Sequence, residues 1–306
     1  MRRNFINNEV NHVYQRTLSG FNIFYEVEDY LVYYTIFSVL SVRYGISVYG
    51  LCLMLDHVHS LISAESNRAF SAFMSNVTVQ FVKEYNRHHS RTGALFCKSF
   101  GWAPKAGMKL LRTAISYLFN NPVERLLCKR AQEYRWNFLA YAHADAPFSE
   151  PLVLKRASRV LRRALNEVDG TVSRNRHLTY SQIVRMFEGL DRKEKNQLID
   201  YIIKKYNVIR YDILTTSCYD GYENMLLAIN SNAGSEYDIP EYRWGYSDAE
   251  YRDLYKYVHE SGLEDAGKVI SLPLESKLAL MMDMLRETSV SKIQIGKFLH
   301  LVVAPK

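Results

Sequence analysis

Apolar residues along the first 105 positions fall into segments whose spacing predicts alternating strands and helices. Residues 10–16, VNHVYQR, and residues 46–63, ISVYGLCLMLDHVHSLIS, have the alternating or continuous apolar character of strands in a sheet that is packed on one face. Between them, residues 27–45 have the length of a helix and end at Gly45, a favourable residue for a helix C-cap. The first elements are therefore predicted as strand, helix and strand.

The alternation continues along the chain. Residues 67–90 predict a second amphipathic helix, and residues 93–104 predict a further strand. A third helix is predicted over residues 105–120, ending before Pro122, because proline disfavours helical geometry in the residue that precedes it. This order favours an α+β fold in which helices cover one face of a small antiparallel sheet.

The pattern changes near residues 142–151, AHADAPFSEP, where small residues and two prolines interrupt it. We therefore predict a first domain over residues 1–145 and a mainly helical domain over residues 150–306. The helices predicted in the second domain cover residues 152–168, 179–188, 192–206, 248–260 and 274–287.

The composition narrows the class of protein. A chain of 306 residues with 48% apolar residues can bury the cores of two domains, which excludes a disordered protein. The net charge is +7, and residues 67–113 are the most basic part, with eight Lys and Arg residues against one acid, Glu84. Such a segment suits a polyanion, although an ordinary solvated basic face accounts for this charge equally well.

Membrane insertion and export are both disfavoured by the sequence. No segment reaches the roughly 20 apolar residues that a membrane-spanning helix needs, and the N-terminal sequence MRRNFINNEVNHVYQR lacks the apolar stretch of a secretion signal. We therefore expect a cytoplasmic protein without a membrane partner.

Two histidines stand one residue apart in the sequence DHVHS. Side chains alternate along a strand, so His57 and His59 project to one side of the sheet while Val58 projects to the other. Two adjacent imidazoles can bind a divalent metal, but such a pair also occurs on ordinary solvated strand faces. The spacing alone leaves both interpretations open.

A second pair of polar residues follows in LRTAISYLFNNPVERLL. Tyr117 and Asn121 are four residues apart, which places a hydroxyl and an amide one helical turn apart on the same face. The chain has 23 tyrosines, so a single tyrosine is by itself more simply a packing or surface residue. The choice between a structural and a functional role for Tyr117 therefore depends on the surrounding sequence.

That sequence resembles the REP-associated tyrosine transposases, relatives of the single-tyrosine insertion-sequence transposases within the HUH (histidine, hydrophobic residue, histidine) endonuclease superfamily. The matching segments occur in the family's order and cover about residues 10–142. They are NHVYQRTLSG, IFYEVEDY, YGISVYGLCLMLDHVHSLI, FVKEYNRHHSRTGALFCKSF and YLFNNPVERLLCKRAQEYRWNFLAY. The resemblance implies a ferredoxin-like (RRM-like) catalytic domain followed by a helical appendage.

The resemblance also implies a role for each singled-out residue. His57 and His59 correspond to the metal-binding histidine pair, Tyr117 to the nucleophile, and Asn121 to a polar third metal ligand. Imidazole nitrogens and an amide oxygen make a mixed site that can hold Mg²⁺ or Mn²⁺. The implied reaction is cleavage of single-stranded DNA next to a hairpin or palindromic repeat, through a 5′ phosphotyrosine and without a nucleotide cofactor.

Two residues depart from the family's pattern. Ser60 follows the histidine pair where the family commonly has an apolar residue, and this change leaves the implied chemistry unaffected. The family usually has Asn before the first histidine, whereas this chain has Asp56. Asp56 is either a harmless change in a turn or a carboxylate near the metal that alters its binding. A domesticated protein that binds hairpin or single-stranded DNA but no longer cleaves it is therefore an alternative. A metalloenzyme acting on small molecules is disfavoured by the basic, aromatic-rich segment.

Basic residues are the predicted phosphate contacts. Those in the first domain are Arg16, Lys83, Arg87, Arg91, Lys98 and Lys105. In KRASRVLRRALNE, Arg156, Arg159 and Arg163 are expected on one helical face, which either contacts the stem of a DNA hairpin or is an ordinary solvated face. The rings that could stack on unpaired bases are Tyr85, His88, His89, Phe96, Phe100 and Trp102, of which Phe96 and Phe100 are equally well explained as core residues.

The end of the chain is less informative. NMLLAINSNAGSEYDI and SLPLESKLALMMDMLRETSVSKIQIGKFLHL resemble the C-terminal extension of a subset of these transposases from Bacteroides-like bacteria. We expect a structural or partner-binding role for it. The resemblance leaves open whether the protein is a monomer or a homodimer that exchanges its tyrosine helices, and it implies association with the nucleoid when DNA is bound.

Overall fold

The computed structural model describes residues 5–97, 100–232, 247–263 and 265–303. The strands of these ranges are β1 (Asn11–Arg16), β2 (Ser47–Met54), β3 (His57–Ser63) and β4 (Gly101–Pro104). The helices are α1 (Val27–Arg43), α2 (Asn67–His88), α3 (Met108–Glu124), α4 (Arg159–Ser173), α5 (Tyr180–Phe187), α6 (Arg192–Lys205), α7 (Tyr211–Ile213), α8 (Tyr222–Ser231), α9 (Tyr251–Glu260), α10 (Leu274–Glu287) and α11 (Lys292–Leu299). None of the helices in these ranges has both the length and the apolar character needed to span a membrane.

The strands form one antiparallel sheet with the order β2-β3-β1-β4. The chain order β1-α1-β2-β3-α2-β4 with this strand order is the ferredoxin-like arrangement, and a mainly helical part follows it. The predicted α+β fold class is therefore confirmed.

The two faces of the sheet carry different helices. Helices α1 and α2 pack on one face, where the Nε2 atom of Gln15 on β1 donates a hydrogen bond to the Oγ1 atom of Thr78 on α2 at 3.0 Å. Helix α3 crosses the opposite face, and a Cβ atom added to Gly50 on β2 would lie only 3.3 Å from Leu118 of α3. Glycine at this position lets α3 approach the sheet closely. The prediction that helices cover one face of the sheet therefore holds for α1 and α2, whereas α3 lies on the other face.

The predicted strand segments are divided or shortened in the structure. Residues 46–63 form the two strands β2 and β3, because a turn at Leu55 and Asp56 reverses the chain. Among the described residues of the segment 93–104, only β4 is a strand, and Phe96 forms an isolated bridge with Thr17.

Helix α3 continues through Pro122 to Glu124, so the prediction that it ends before this proline is wrong. Pro122 lies in the last turn, where it has no N–H to donate to the carbonyl four residues earlier and its ring crowds that carbonyl. The turn is closed by the N–H groups of Arg125 and Leu127, which donate to the carbonyls of Asn121 at 3.1 Å and Pro122 at 2.9 Å. The extra turn keeps Asn121 inside the helix.

Helix α4 begins later than predicted. Its N-cap is Ser158, whose side-chain oxygen accepts a hydrogen bond from a backbone N–H of the first turn. The backbone N–H and the hydroxyl of Ser158 donate to the carboxylate of Glu194 at 2.8 and 2.9 Å, which fixes the helix start. Arg156 precedes the helix, and the predicted helical face of Arg156, Arg159 and Arg163 therefore does not form.

Buried apolar side chains of the described residues form one cluster that runs through both predicted domains, from Val10 to Leu299. The hydroxyl of Tyr34 on α1 donates to the carbonyl of Ile203 on α6 at 2.9 Å, and Val48 on β2 forms a bridge with Ile209. We call residues 5–145 the N-terminal part and residues 150–303 the C-terminal part. The two parts share a core.

Candidate active site

Strand β3 and helix α3 bring together the four residues that the sequence pattern singled out. His57 and His59 project from one side of β3 towards α3, and Tyr117 and Asn121 lie on the turns of α3 that face this strand. Strand β1 completes the surface, because its register places Arg16 opposite His57. All four candidate residues are at most 6% exposed, so the site is enclosed.

Asn121 faces the two imidazoles. Its Oδ1 atom is 3.3 Å from the Nε2 atom of His57, and its Nδ2 atom is 3.3 Å from the Nε2 atom of His59. The two rings are nearly perpendicular, at 88°, with centroids 4.9 Å apart. Both Nε2 atoms therefore point at one amide group from different directions.

The other ring nitrogens have their own partners. The Nδ1 atom of His57 is 2.5 Å from the Oδ1 atom of Asp56. The Nδ1 atom of His59 is 2.9 Å from the Nε2 atom of His12, a buried residue of β1. Each histidine is thus held through Nδ1, and its Nε2 atom is the one that faces α3.

Tyr117 stands edge-on to two imidazoles. Its ring centroid is 5.5 Å from those of His59 and His12, with interplanar angles of 89° and 78°. Because Tyr117 and Asn121 share one helix, the hydroxyl and the amide are brought to the histidine face by the same element.

The charges around the site keep Asp56 ionised and His59 neutral. Burial opposes ionisation of Asp56, but the charge and hydrogen bond of His57 outweigh it and hold the pKa of this carboxyl below its ordinary value. Burial, together with the charges of His57 and Arg16, lowers the pKa of His59 well below its ordinary value of 6.5. At neutral pH the imidazole of His59 therefore has a lone pair to offer.

The C-terminal part contributes charged groups at the edge of this site. A nitrogen of the Arg125 guanidinium is 3.7 Å from the Oδ1 atom of Asp248, and the backbone N–H of Asp248 donates to the Arg125 carbonyl at 3.1 Å. Burial and the charge of Asp56 raise the pKa of Asp248 to about 6. The positive charge of Lys297, on α11, helps to keep Asp56 ionised. Nothing in the local sequence pattern indicated these residues.

The donor atoms suit a hard or borderline divalent cation. Two imidazole nitrogens and an amide oxygen converge, each imidazole is oriented by a second side chain, and His59 is neutral. Among the described residues, no group of three or more His, Cys, Asp or Glu side chains forms a metal site of its own. The candidate set therefore depends on the amide of Asn121.

The basic residues predicted to bind DNA are dispersed. Arg16 lies beside the site. Lys83 and Arg87 are exposed on α2, which packs on the opposite face of the sheet. Arg91 is bound within its own loop, where it donates to the Oδ1 atom of Asn86 at 2.6 Å and to the carbonyl of Ala94 at 3.2 Å.

The remaining basic residues lie elsewhere. Lys105 follows β4 and is half-buried, and Lys98 lies outside the described residues. Arg156, Arg159 and Arg163 are exposed in the C-terminal part. Exposed charge is therefore present on several surfaces of the protein.

Three of the six rings proposed for base stacking are buried inside the protein. Tyr85 and Phe96 are buried, and so is His89, whose Nε2 atom is 3.0 Å from a carboxylate oxygen of Asp29. The ring of His88 is stacked on Tyr180 with a centroid distance of 4.1 Å. Phe100 and Trp102, beside or within edge strand β4, remain partly exposed. Burial leaves Tyr85 and His89 no free ring face for a base, and the burial of Phe96 agrees with the core role that the sequence equally allowed.

Sequence reasoning missed His12. Its segment, NHVYQR, was identified as a strand, but the role of this histidine depends on β1 lying next to β3 in antiparallel register. Alternation along β1 places His12 and Arg16 on one side, and this is the only signal that could have pointed to it.

Comparison with known proteins places the first part of the chain in a family context. The family model described as IS200-like transposase matches residues 2–118, which include His57, His59 and Tyr117 and end shortly before Asn121. A solved structure of a REP-associated tyrosine transposase bound to a REP hairpin matches with 14% sequence identity and a TM-score of 0.38, covering 44% of this chain and 79% of that chain. Among curated proteins, none matches the chain.

Proposed function

We propose that the chain, whose residues 2–118 match the family model described as IS200-like transposase, is a metal-dependent single-strand DNA endonuclease and strand transferase. It would recognise a hairpin-forming repeat and cut next to it. Tyr117 is the proposed nucleophile, and His57, His59 and Asn121 are the proposed metal ligands.

One observation carries the proposal. A single amide, that of Asn121, is 3.3 Å from the Nε2 atoms of both His57 and His59, and Tyr117 lies one helical turn away on the same helix. A packing role for these polar residues would not require two imidazoles to converge on one amide opposite a tyrosine. Convergence of this kind is what a small cation and an adjacent phosphate need.

The three ligand residues would hold Mg²⁺ or Mn²⁺. When bound, such a cation supplies Lewis acidity that offsets the negative charge of the scissile phosphate. Asn121 would contribute its oxygen, which already points at His57. Asp56 and His12 lie behind the histidines and are not proposed as ligands.

The protein's own nucleophile would perform the cleavage. The Oη atom of Tyr117 would attack the phosphorus atom and form a phosphotyrosine with the 5′ end, while the bond from phosphorus to the 3′ oxygen breaks. The phenol loses one proton and the departing 3′ oxygen gains one. Since the ester bond is exchanged and not hydrolysed, the free 3′ hydroxyl can later attack the phosphotyrosine and rejoin a strand without ATP.

Single-stranded DNA flanking a hairpin is the proposed partner. Arg16, beside His57, is positioned for a phosphate near the cut, whereas Arg159 and Arg163 on α4 are exposed and available for the stem of a hairpin. Contacts of this kind supply affinity without sequence information. Mixing the Tyr117→Phe and His57→Ala variants tests whether one chain or two chains provide the site.

The decisive experiment is a denaturing gel that detects a covalent adduct. The full chain would be incubated with Mn²⁺ or Mg²⁺ and single-stranded oligonucleotides from the flanks of its own gene, in parallel with Tyr117→Phe and His57→Ala. We expect an adduct with the unaltered chain and none with either variant. Restoration of the adduct on mixing the two variants would indicate a site shared between two chains. Binding of hairpins without any adduct under either metal would refute cleavage.

A cleavage-inactive DNA-binding protein is the second candidate. The observation in its favour is the enclosure of Tyr117, which is 6% exposed, because a phosphate can reach it only if α3 or its covering residues move. The same gel separates the two candidates, since a binding protein shifts the oligonucleotide in a native gel but leaves no adduct after denaturation.

A further inference from the structure

Both histidines of β3 are held through Nδ1 by side chains that have no role in the proposal above. We propose that Asp56 and His12 are positioning residues, which fix the tautomer and orientation of His57 and His59 so that both Nε2 lone pairs point at a divalent metal. This inference rests on the proposed function and deepens it, because it makes two further residues responsible for the metal affinity of the site.

Asp56 determines which nitrogen of His57 carries the proton. An ionised carboxylate can only accept hydrogen bonds, so the Nδ1 atom 2.5 Å from it must donate. In the metal-free chain the Nε2 atom can then donate to the Oδ1 atom of Asn121, 3.3 Å away, and when a metal displaces that proton the lone pair of the ring lies on Nε2. The carbonyl of Asp56 accepts hydrogen bonds from the backbone N–H of Thr17 at 3.0 Å and from its hydroxyl at 2.9 Å. The turn that carries the carboxylate is therefore anchored.

His12 does the same for His59. Its Nε2 atom is 2.9 Å from the Nδ1 atom of His59, and the two rings are stacked at 13° with centroids 5.1 Å apart. For the Nε2 atom of His59 to be a ligand, its Nδ1–H must donate to the Nε2 atom of His12, which then carries its own proton on Nδ1. His12 is 1% exposed and lies on the strand paired with β3, so its position is fixed by the sheet.

The two partners act by orientation and not by ligation. The Nε2 atom of His12 and the carboxylate of Asp56 are directed at the outer nitrogens of the ligand histidines. Groups in this position typically change metal affinity by about 10- to 100-fold when they are removed. A role in packing alone would predict no such change, because a leucine of similar size fills the same space.

The test is a Mn²⁺ titration of the full chain, followed by the electron paramagnetic resonance signal of the free ion. The variants are His12→Leu and Asp56→Leu, which remove the acceptor, and His12→Gln and Asp56→Asn, which keep an oxygen acceptor. His88→Leu is the matched control, since His88 is exposed and stacks on Tyr180 far along the chain from the site. Thermal unfolding in the presence of EDTA verifies that each variant folds.

We expect the two leucine variants to bind Mn²⁺ about 10- to 100-fold more weakly than the unaltered chain. The glutamine and asparagine variants should recover most of this loss, and His88→Leu should bind normally. Equal affinity of the folded leucine variants and the unaltered chain would overturn the proposal. An unaltered chain that binds no Mn²⁺ would instead refute the metal site of the proposed function, which is a distinguishable result.

A second measurement keeps the proposal testable if the leucine variants fail to fold. Long-range ¹H–¹⁵N spectra of the metal-free, unaltered chain report whether the Nδ1 atom of each histidine carries a proton. The expected signature is a protonated Nδ1 atom in both His57 and His59, whether or not the Nε2 atom of His57 also carries a proton. An Nδ1 atom without a proton at either residue would contradict the proposed arrangement.

Discussion

The Nδ2 atom of Asn120 donates a hydrogen bond to the carbonyl of Ile229 at 2.6 Å, which ties α3 to α8 of the C-terminal part. Asn120 is fully buried and directly precedes Asn121, so this bond fixes the helix at the level of the candidate site. The placement of the site therefore depends on a residue more than a hundred positions further along the chain.

Replacing Asn120 by alanine should weaken this attachment. The carbonyl of Ile229 would lose the bond from Asn120 but would still accept the N–H of Asn232 at 3.1 Å, and we expect a loss of about 0.5–1.5 kcal/mol in the free energy of unfolding, measured by urea denaturation. Asn224→Ala is the control, because the Nδ2 atom of Asn224 is exposed and donates only to the Asp220 carbonyl one turn away. Equal effects of the two substitutions would contradict the importance of this attachment.

Glu26 should make stability depend on pH. Burial raises its pKa from an ordinary 4.5 to about 7, while its Oε1 atom accepts a hydrogen bond from the N–H of Ala266 at 2.9 Å. Between pH 4.5 and 7 the folded chain binds more protons at this site than the unfolded chain, so its contribution to stability falls as the pH rises, by at most about 1.4 kcal/mol per pH unit.

The variant Glu26→Gln keeps an oxygen acceptor for Ala266 but cannot titrate. Its free energy of unfolding should therefore rise relative to that of the unaltered chain from pH 5 to pH 7 and then level off. Urea denaturation at pH 5, 6, 7 and 8 measures this difference. A difference that stays constant over the four pH values would show that Glu26 has an ordinary pKa.

Loss of the Asp200 carboxylate should lower the free energy of unfolding far more than loss of the Asp145 carboxylate, although both form ion pairs. The buried carboxylate of Asp200 accepts hydrogen bonds from the hydroxyl of Tyr141 at 2.6 Å and the N–H of Phe148 at 3.0 Å, and it is 3.3 Å from the Arg135 guanidinium. Asp200→Ala leaves Arg135 largely buried without this partner and should cost about 3–5 kcal/mol.

The matched substitution is Asp145→Ala. Asp145 pairs with Lys204 on the surface and is 71% exposed, so its loss should cost less than about 1 kcal/mol. Chemical denaturation of the two variants under the same conditions compares them directly. Similar losses would mean that the buried carboxylate does not join the N-terminal part to α6.

Replacing Gly101 should lower the free energy of unfolding, because the ring of Tyr14 occupies the space that an added side chain would need. A Cβ atom at Gly101 on β4 would collide with the ring of Tyr14, its partner on β1. Gly101→Ala should therefore displace the ring and cost about 1–3 kcal/mol. The cost should nearly vanish in a Tyr14→Ala background, which a double-mutant cycle in urea can measure. The same cost in both backgrounds would rule out the collision as the cause.

Local patterns were sufficient for elements whose formation depends on neighbouring residues. Helix α10 has the predicted bounds of residues 274–287, and α1 ends next to the predicted Gly45, whose φ of +62° suits glycine. Alternation in β3 correctly placed His57 and His59 on one side, because a strand has a fixed period of two.

Long-range contacts decided what the sequence could not predict. The start of α4 depends on Glu194, which binds Ser158 from another helix, and the continuation of α3 past Pro122 depends on the packing of its last turn. His12 became part of the site only through the pairing of β1 with β3. Asp248 and Lys297 reach the surroundings of Asp56 from elements that have no recognisable motif.

The shared helix of Tyr117 and Asn121 has a consequence for how the protein would be kept harmless. If α3 moves away from the sheet, the hydroxyl and the amide leave together, so under the proposed function the histidine pair would lose a ligand at the moment when the attacking group withdraws. A half-assembled site that retained its cation but lacked its tyrosine, and could let water cut DNA instead, would thereby be avoided. The proposed strand exchange would then be all-or-none: either both groups are docked and the break stays attached to the protein, or neither is and no break is made.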